Sequence, residues 1–156
     1  MYLTQVTEEN TIELMSWFKN EDELKTWAGP NFSYPLNLVN FKRDLNINTL
    51  KSFALISKEE ELLAFGQYYL KLRKCHLARL VVNPKFRGKG IAAHLIKQLI
   101  TLGKTDLNTE SCSLFVFSDN TNAINAYTKL GFSIAEYPEK APMDDCLYMV
   151  LEQIHR

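Results

Sequence analysis

The chain has 156 residues, 46% apolar and 23% charged, with 18 Lys and Arg balanced by 18 Asp and Glu. That length suits one domain with a real core, and that apolar fraction excludes a disordered chain. A formal net charge of zero speaks against a globally basic nucleic-acid binder. No apolar run approaches the roughly 18 residues that cross a bilayer. The first nine residues carry no basic segment ahead of an apolar one, so no signal peptide is expected. Cys75, Cys112 and Cys146 are odd in number and widely spaced. They fit reduced, mostly buried thiols of a cytoplasmic protein, not a disulfide framework or a metal cluster.

Residues 2–6 read as a short strand. Thr7 is placed to cap a helix whose first turn carries Glu8 and Glu9, beside the positive helix end. Ile12, Leu14, Met15, Trp17 and Phe18 give that helix an apolar side, and a second short helix covers 22–27. Gly29, Pro30, Asn31 and Pro35 make 29–35 a loop, and 38–45 reads as helix again. The period then changes. Residues 52–57 and 62–72 are strands joined by the charged tip Lys58 to Glu61, and 76–82 is a third strand that ends at Asn83-Pro84. A long helix follows over about 88–102, with Ile91, Leu95, Ile96, Leu99 and Leu102 on one side and Lys97, Gln98 and Thr101 opposite. Residues 113–117 are apolar on both faces, as in a central strand. A helix over about 120–130 stops at Gly131. Residues 132–137 and 146–151 close the chain as strands. The order β, helices, βββ, α, β, α, ββ predicts an α/β protein, a mixed sheet with helices on its faces.

The segment Leu80 to Ala92 carries the most information. An apolar strand runs into a loop, and Gly88 and Gly90 open the long helix. Glycine lets the backbone approach a ligand, and the first free N–H groups of a helix favour an anion. Between Asn83 and Lys104 lie Lys85, Arg87, Lys89, Lys97 and Lys104 with no acidic residue. Three readings fit: a plain strand-to-helix turn with a solvated basic face, a dinucleotide fingerprint, or a pyrophosphate site for coenzyme A. Gly88 to Ala93 matches G-x-G-x-x-A literally, but five residues including Pro84 separate it from the strand, which disfavours the fingerprint. A Walker loop is excluded because no G-K-[ST] is present.

A second segment bears on the choice. Asn120 begins a helix as a natural cap, and Tyr127 lies seven residues on, almost two turns, so both share one side. Ala123 between them is small enough to leave a groove. Each residue alone is accounted for by capping and packing.

Together the two segments resemble the GNAT superfamily of acetyl-CoA-dependent N-acetyltransferases. Arg87, Gly90 and Ala92 look like its R-x-x-G-x-A motif. Asn120, Ala123, Tyr127, Lys129, Gly131 and Phe132 look like its N-x-x-A-x-x-x-Y-x-K-x-G-F motif. The resemblance implies a mixed, mostly antiparallel central sheet of six to seven strands flanked by about four helices, with 1–156 forming a single such domain. Two parallel strands, here 76–82 and 113–117, would splay to admit acetyl-CoA, the co-substrate. By the same resemblance, backbone groups of Leu80, Val81 and Val82 would pair with the pantetheine arm. The N–H groups of Arg87, Gly88, Lys89, Gly90, Ile91 and Ala92 would hold the pyrophosphate. Asn120 would bond the cofactor, and Tyr127 would lie close to the sulfur. No metal is implied.

The chemistry is consistent with those roles. Attack of an amine on a thioester builds negative charge on the carbonyl oxygen, which a preorganised N–H stabilises. The departing thiolate takes a proton or hydrogen bond, which makes Tyr127 the candidate catalytic residue. Relatives that acetylate protein N-termini often carry a Glu one residue before the position of Val116. Here Phe115 stands there, so no general base carries over. Glu61, His76, Glu136, Asp144 and Asp145 are the remaining candidates, each more simply read as solvated charge or structure.

The acceptor is an open question at this level: a protein N-terminus, a lysine or a small amine such as a polyamine, amino acid or aminoglycoside. Glu8, Glu9, Glu13, Glu21, Asp22 and Glu23 against Lys19 alone would steer a cation. The aromatic loop from Trp27 to Pro35 is either a lid packed on the sheet or a wall of the acceptor pocket. The alternative function is a non-catalytic acyl-CoA-binding or regulatory protein. Lys85 to Lys89 with one aromatic is no nucleic-acid stacking platform. Neither a nucleic-acid nor a membrane partner is expected, and a monomer or homodimer is.

Overall fold

The computed structural model describes residues 1–152. Among them are seven strands: β1 (Tyr2–Gln5), β2 (Lys51–Ile56), β3 (Leu62–Lys71), β4 (Lys74–Val82), β5 (Cys112–Phe117), β6 (Ser133–Ala135) and β7 (Cys146–Leu151). They form one sheet in the order β1-β2-β3-β4-β5-β7-β6. The β1–β2, β2–β3, β5–β7 and β6–β7 pairs are antiparallel, whereas β4 and β5 are parallel. The helices are α1 (Glu8–Met15), α2 (Glu21–Ala28), α3 (Leu38–Asp44), α4 (Ile91–Leu107) and α5 (Thr121–Lys129). The mixed α/β sheet with its parallel pair is the expected architecture. Three of these helices lie between β1 and β2, as read from the sequence, and Thr7, Asn20 and Asn37 cap them. No described helix is long and apolar enough to cross a membrane.

By contacts the chain forms two compact units, with β3, β4 and α4 running through both. The first is Met1–Tyr68 with Arg79–Leu99; the second is Tyr69–Ala78 with the described residues from Ile100 onward.

In the first unit, Leu14, Leu24, Phe32, Phe41, Leu45 and Phe65 build the core beside β2 and β3. Trp27 stacks on Phe18 with centroids 4.6 Å apart, and Phe32 meets Phe41 edge-on at 6.0 Å. The loop at 29–35 is therefore packed down through Phe32, which is buried. Its backbone is pinned as well: Ser33 N–H donates to Asp44 Oδ2 at 2.8 Å, and Arg43 Nη2 donates to Ser33 Oγ at 2.9 Å. Gly66 in β3 lets α4 lie close. A Cβ there would stand 2.7 Å from Leu99 Cδ1 and 2.9 Å from Leu80 Cδ2.

Helix α4 begins at Ile91, not at 88, because Gly88 and Gly90 have φ of +78° and +75°, outside the right-handed helical region. It runs on to Leu107 and ends at Asn108, whose φ is +51°. Its buried stripe is Ile91, Leu95, Ile96, Leu99 and then Gly103, one helical step of four beyond Leu99. Leu102 falls off that stripe and is exposed.

In the second unit, Leu72 and Arg73 have φ of +50° and +66°, the two left-handed residues of a tight hairpin turn. Strand β4 therefore starts at Lys74, two residues earlier than expected. His76 is an interior strand residue and not a strand start. Strand β5 lies between β4 and β7, which accounts for its apolar character on both faces. Strand β6 is limited to Ser133–Ala135, shorter than expected. Phe132 just before it is buried, and Glu136 lies beyond it exposed.

Candidate functional site

The turn after β4 is tied to the start of β3 by one buried side chain. Asn83 N–H donates to Leu63 O at 2.8 Å, its Nδ2 donates to Leu62 O at 2.9 Å, and its Oδ1 accepts from Lys85 N–H at 3.0 Å. A short 3-10 turn at Pro84–Phe86 follows, and Arg87 is extended. The backbone hand then alternates, left-handed at Gly88 and Gly90 but not at Lys89 between them. Such alternation turns successive N–H groups toward one side, the geometry of an anion nest. A Cβ built at either glycine meets nothing within 4 Å, so both border open space. Their glycine character answers to φ and not to crowding. Gly90 has no side chain with which to cap α4, and the first turn of α4 holds no acidic residue. Lys85, Arg87 and Lys89 are exposed around this turn. Backbone donors, open space and a positive surround fit a pyrophosphate.

Leu80, Val81 and Val82 form the end of β4. Cys75–Leu77 of β4 pair in parallel register with Cys112–Leu114 of β5. Arg79, two residues on, has φ +51°, which breaks the strand's alternation.

In the second unit, Asn120 caps α5 as read from the sequence. Its Oδ1 accepts from Ala123 N–H at 3.3 Å, so the cap engages the oxygen end of its amide. Tyr127 stands on α5, half-buried, its ring edge-on to Phe132 at 6.2 Å. Burial pushes its phenol above the ordinary value of 10.0, so it carries its proton at neutral pH. Gly131 closes the helix at φ +104°.

The candidate bases fare differently. Glu61, Glu136, Asp144 and Asp145 are exposed. His76 is buried, its Nδ1 2.8 Å from Ser113 Oγ and its ring against Tyr69 and Phe115. Burial first, and Lys71 second, push its pKa down to about 3. It is a packed neutral imidazole, and Phe115 is part of its wall. Among the described residues no cluster of three His, Cys, Asp or Glu could hold a metal.

Comparison with known proteins bears directly on these two segments. The model of the Acetyltransferase (GNAT) family matches residues 13–132. The chain belongs to this family. Among curated GNAT relatives, the spermidine N(1)-acetyltransferase of Escherichia coli K12 is 38% identical over 56 residues, 36% of this chain and 30% of that protein. The L-amino acid N-acetyltransferase of the same organism is 33% identical over 64 residues, 40% of each chain. The matched stretches thus span less than half of these relatives. The spermidine N-acetyltransferase of Vibrio cholerae, solved with CoA and spermine, superposes with a TM-score of 0.75 over 97% of this chain and 95% of that one, at 17% identity. That likeness is one of fold.

Two residues that the GNAT motifs do not flag emerge only from the structure. Gln67 is fully buried in β3 and bonds to Arg79 in β4. Gln67 amid the apolar residues Leu62 to Leu70, and Arg79 amid Leu77 to Val82, were the available signal.

Proposed function

We propose that this protein is an acetyl-CoA-dependent N-acetyltransferase that acetylates a primary amine by direct attack. The alternating backbone at Gly88 and Gly90, opening onto free space at the start of α4 amid Lys85, Arg87 and Lys89, carries this reading. The amides of Arg87 to Ala92 bind the diphosphate of the co-substrate, and the backbone of Leu80 to Val82 pairs with its arm. Asn120 donates an Nδ2 hydrogen to the same molecule. A backbone N–H near the end of β4 stabilises the developing oxyanion. Tyr127, protonated at neutral pH, gives its proton or a hydrogen bond to the departing thiolate. The acceptor amine must lose a proton before attack, and no side chain of this chain is assigned that task.

Within this reading the acceptor is a small amine. The curated relatives are named for spermidine and for L-amino acids. The exposed carboxylates of Glu9 and Asp22 favour a cationic approach. The test is acetyl transfer from acetyl-CoA across a panel of polyamines, amino acids and peptides, read as free thiol release. Transfer to a small amine is the expected result. Tight CoA binding without transfer to any amine supports the alternative, a non-catalytic acyl-CoA binder, which the absence of an acid at Phe115 favours.

A further inference from the structure

A non-glycine residue at φ +51° in mid-strand is strained and needs neighbours to hold it. Arg79 is such a residue, and the side chains around it explain how the conformation is held. Gln67 makes three bonds from a fully buried position: Nε2 to Leu45 O at 2.8 Å, Nε2 to Ser52 Oγ at 2.8 Å, and Oε1 from Arg79 Nη1 at 3.0 Å. The network has one consistent orientation. Ser52 Oγ–H donates to Leu50 O, so its lone pairs accept from Gln67; Leu45 O accepts only. Both N–H groups of Gln67 are thereby used, and its Oε1 is aimed at Arg79. The guanidinium also lies over the Phe32 ring, 5.3 Å from the centroid. Fixed points at Leu45 just past α3, Ser52 in β2 and Gln67 in β3 therefore converge on Arg79, the left-handed residue of β4.

We infer that Gln67 is the positioning residue that holds Arg79 in its left-handed turn and so keeps the backbone of Leu80 to Val82 turned out for the acyl carrier. This rests on the function proposed above. Gln67 touches neither substrate nor carrier; it acts through Arg79. Losing it returns residue 79 toward ordinary extended φ, and the donors and acceptors of 80–82 turn back into the sheet.

The experiment measures CoA affinity by titration calorimetry on the full chain, with Gln67→Met, Arg79→Lys and the double variant, alongside thermal melts. Gln67→Met keeps the volume and removes the bonds; Arg79→Lys keeps the charge and removes the planar fork. Each variant is expected to weaken CoA by at least about tenfold, a typical effect of losing a buried charge-assisted bond. The double variant is expected to be no weaker than the worse single one, the signature of one shared device. In transfer assays the KM for acetyl-CoA rises while that for the amine stays within about twofold. If Gln67→Met does not fold, Ser52→Ala leaves Gln67 in place and frees one of its N–H groups; about threefold weaker CoA binding is then expected. Folded variants that bind CoA like the wild type overturn the inference and leave the proposed function intact. Wild-type protein that binds no CoA overturns both.

Discussion

His76 and Ser113 face one another across the parallel β4–β5 ladder, with Nδ1 2.8 Å from Oγ and both residues buried. The imidazole is walled by Tyr69 and Phe115 and has a pKa of about 3, against 6.5 for the free side chain. Between those values the unfolded chain binds a proton that the folded chain does not. Stability from this site is complete above pH 6.5 and is lost as the pH falls from 6.5 toward 3, by up to about 1.4 kcal/mol per pH unit. Chemical denaturation of wild type and His76→Gln across that range should show a steeper acid loss in the wild type. The acid limb of the transfer rate should be the same in both. A limb that disappears in His76→Gln would return His76 to the list of bases.

Gly88→Ala and Gly90→Ala should separate binding from folding. Neither new methyl group would collide with anything, since nothing lies within 4 Å, but each position has φ near +75° to +78°. The strain of a left-handed alanine is about 1 kcal/mol, and an exposed turn relieves it by rotating its own peptides. Thermal melting should move by only a few degrees while CoA affinity drops by about tenfold or more. Equal affinity in calorimetry would show that the alternating hand of this turn has no part in holding the carrier.

Asp44 anchors the aromatic loop. Burial alone would raise its pKa, but the Ser33 N–H and the Arg43 guanidinium outweigh that and hold it below the usual 3.8. A carboxylate lowered in the folded state stabilises above its unfolded pKa and loses that contribution as the pH falls through the folded value. Asp44→Asn should therefore lower stability by about 1 kcal/mol at pH 7 and flatten the acid dependence below pH 4. Limited proteolysis should cut 29–35 faster in the variant. An unchanged cleavage rate would mean that Phe32 alone keeps the loop down.

Most of this architecture could be read from the residues, because local signals and tertiary packing agreed. Thr7, Asn120 and Gly131 behave as caps at the positions their chemistry suggests. The start of α4 was misread because apolar spacing extends the helix back toward Gly88, whereas two positive φ angles decide the matter and leave no trace in hydrophobic periodicity. Strand β4 began earlier than expected because Leu72 and Arg73 make a two-residue turn without the usual Asn-Gly. Spacing alone gave a glycine-rich helix start and an Asn and a Tyr on one side of a helix; the roles of those residues came from the resemblance to the GNAT superfamily. Gln67 and Arg79 were not legible: a lone polar residue in an apolar strand signals a partner without naming it, and that partner lies twelve residues away on the next strand.

The product thiol leaves with a proton that the enzyme must supply. Tyr127 has its phenol raised above 10.0 by burial, so at pH 7 to 9 it is a donor in essentially every molecule. A thiolate leaving group needs stabilisation only as the C–S bond breaks, so removing the hydroxyl should affect the transition state and not the bound carrier. Tyr127→Phe should keep CoA affinity within about twofold and lower kcat by about 10²-fold or more, the usual range for a lost general acid. The wild-type rate should also hold into the alkaline range and decline only above pH 10, as the phenol ionises. Phenylalanine has no proton to lose, so the residual rate of Tyr127→Phe should show no such decline. A kcat equal to that of the wild type would reduce Tyr127 to its packing against Phe132.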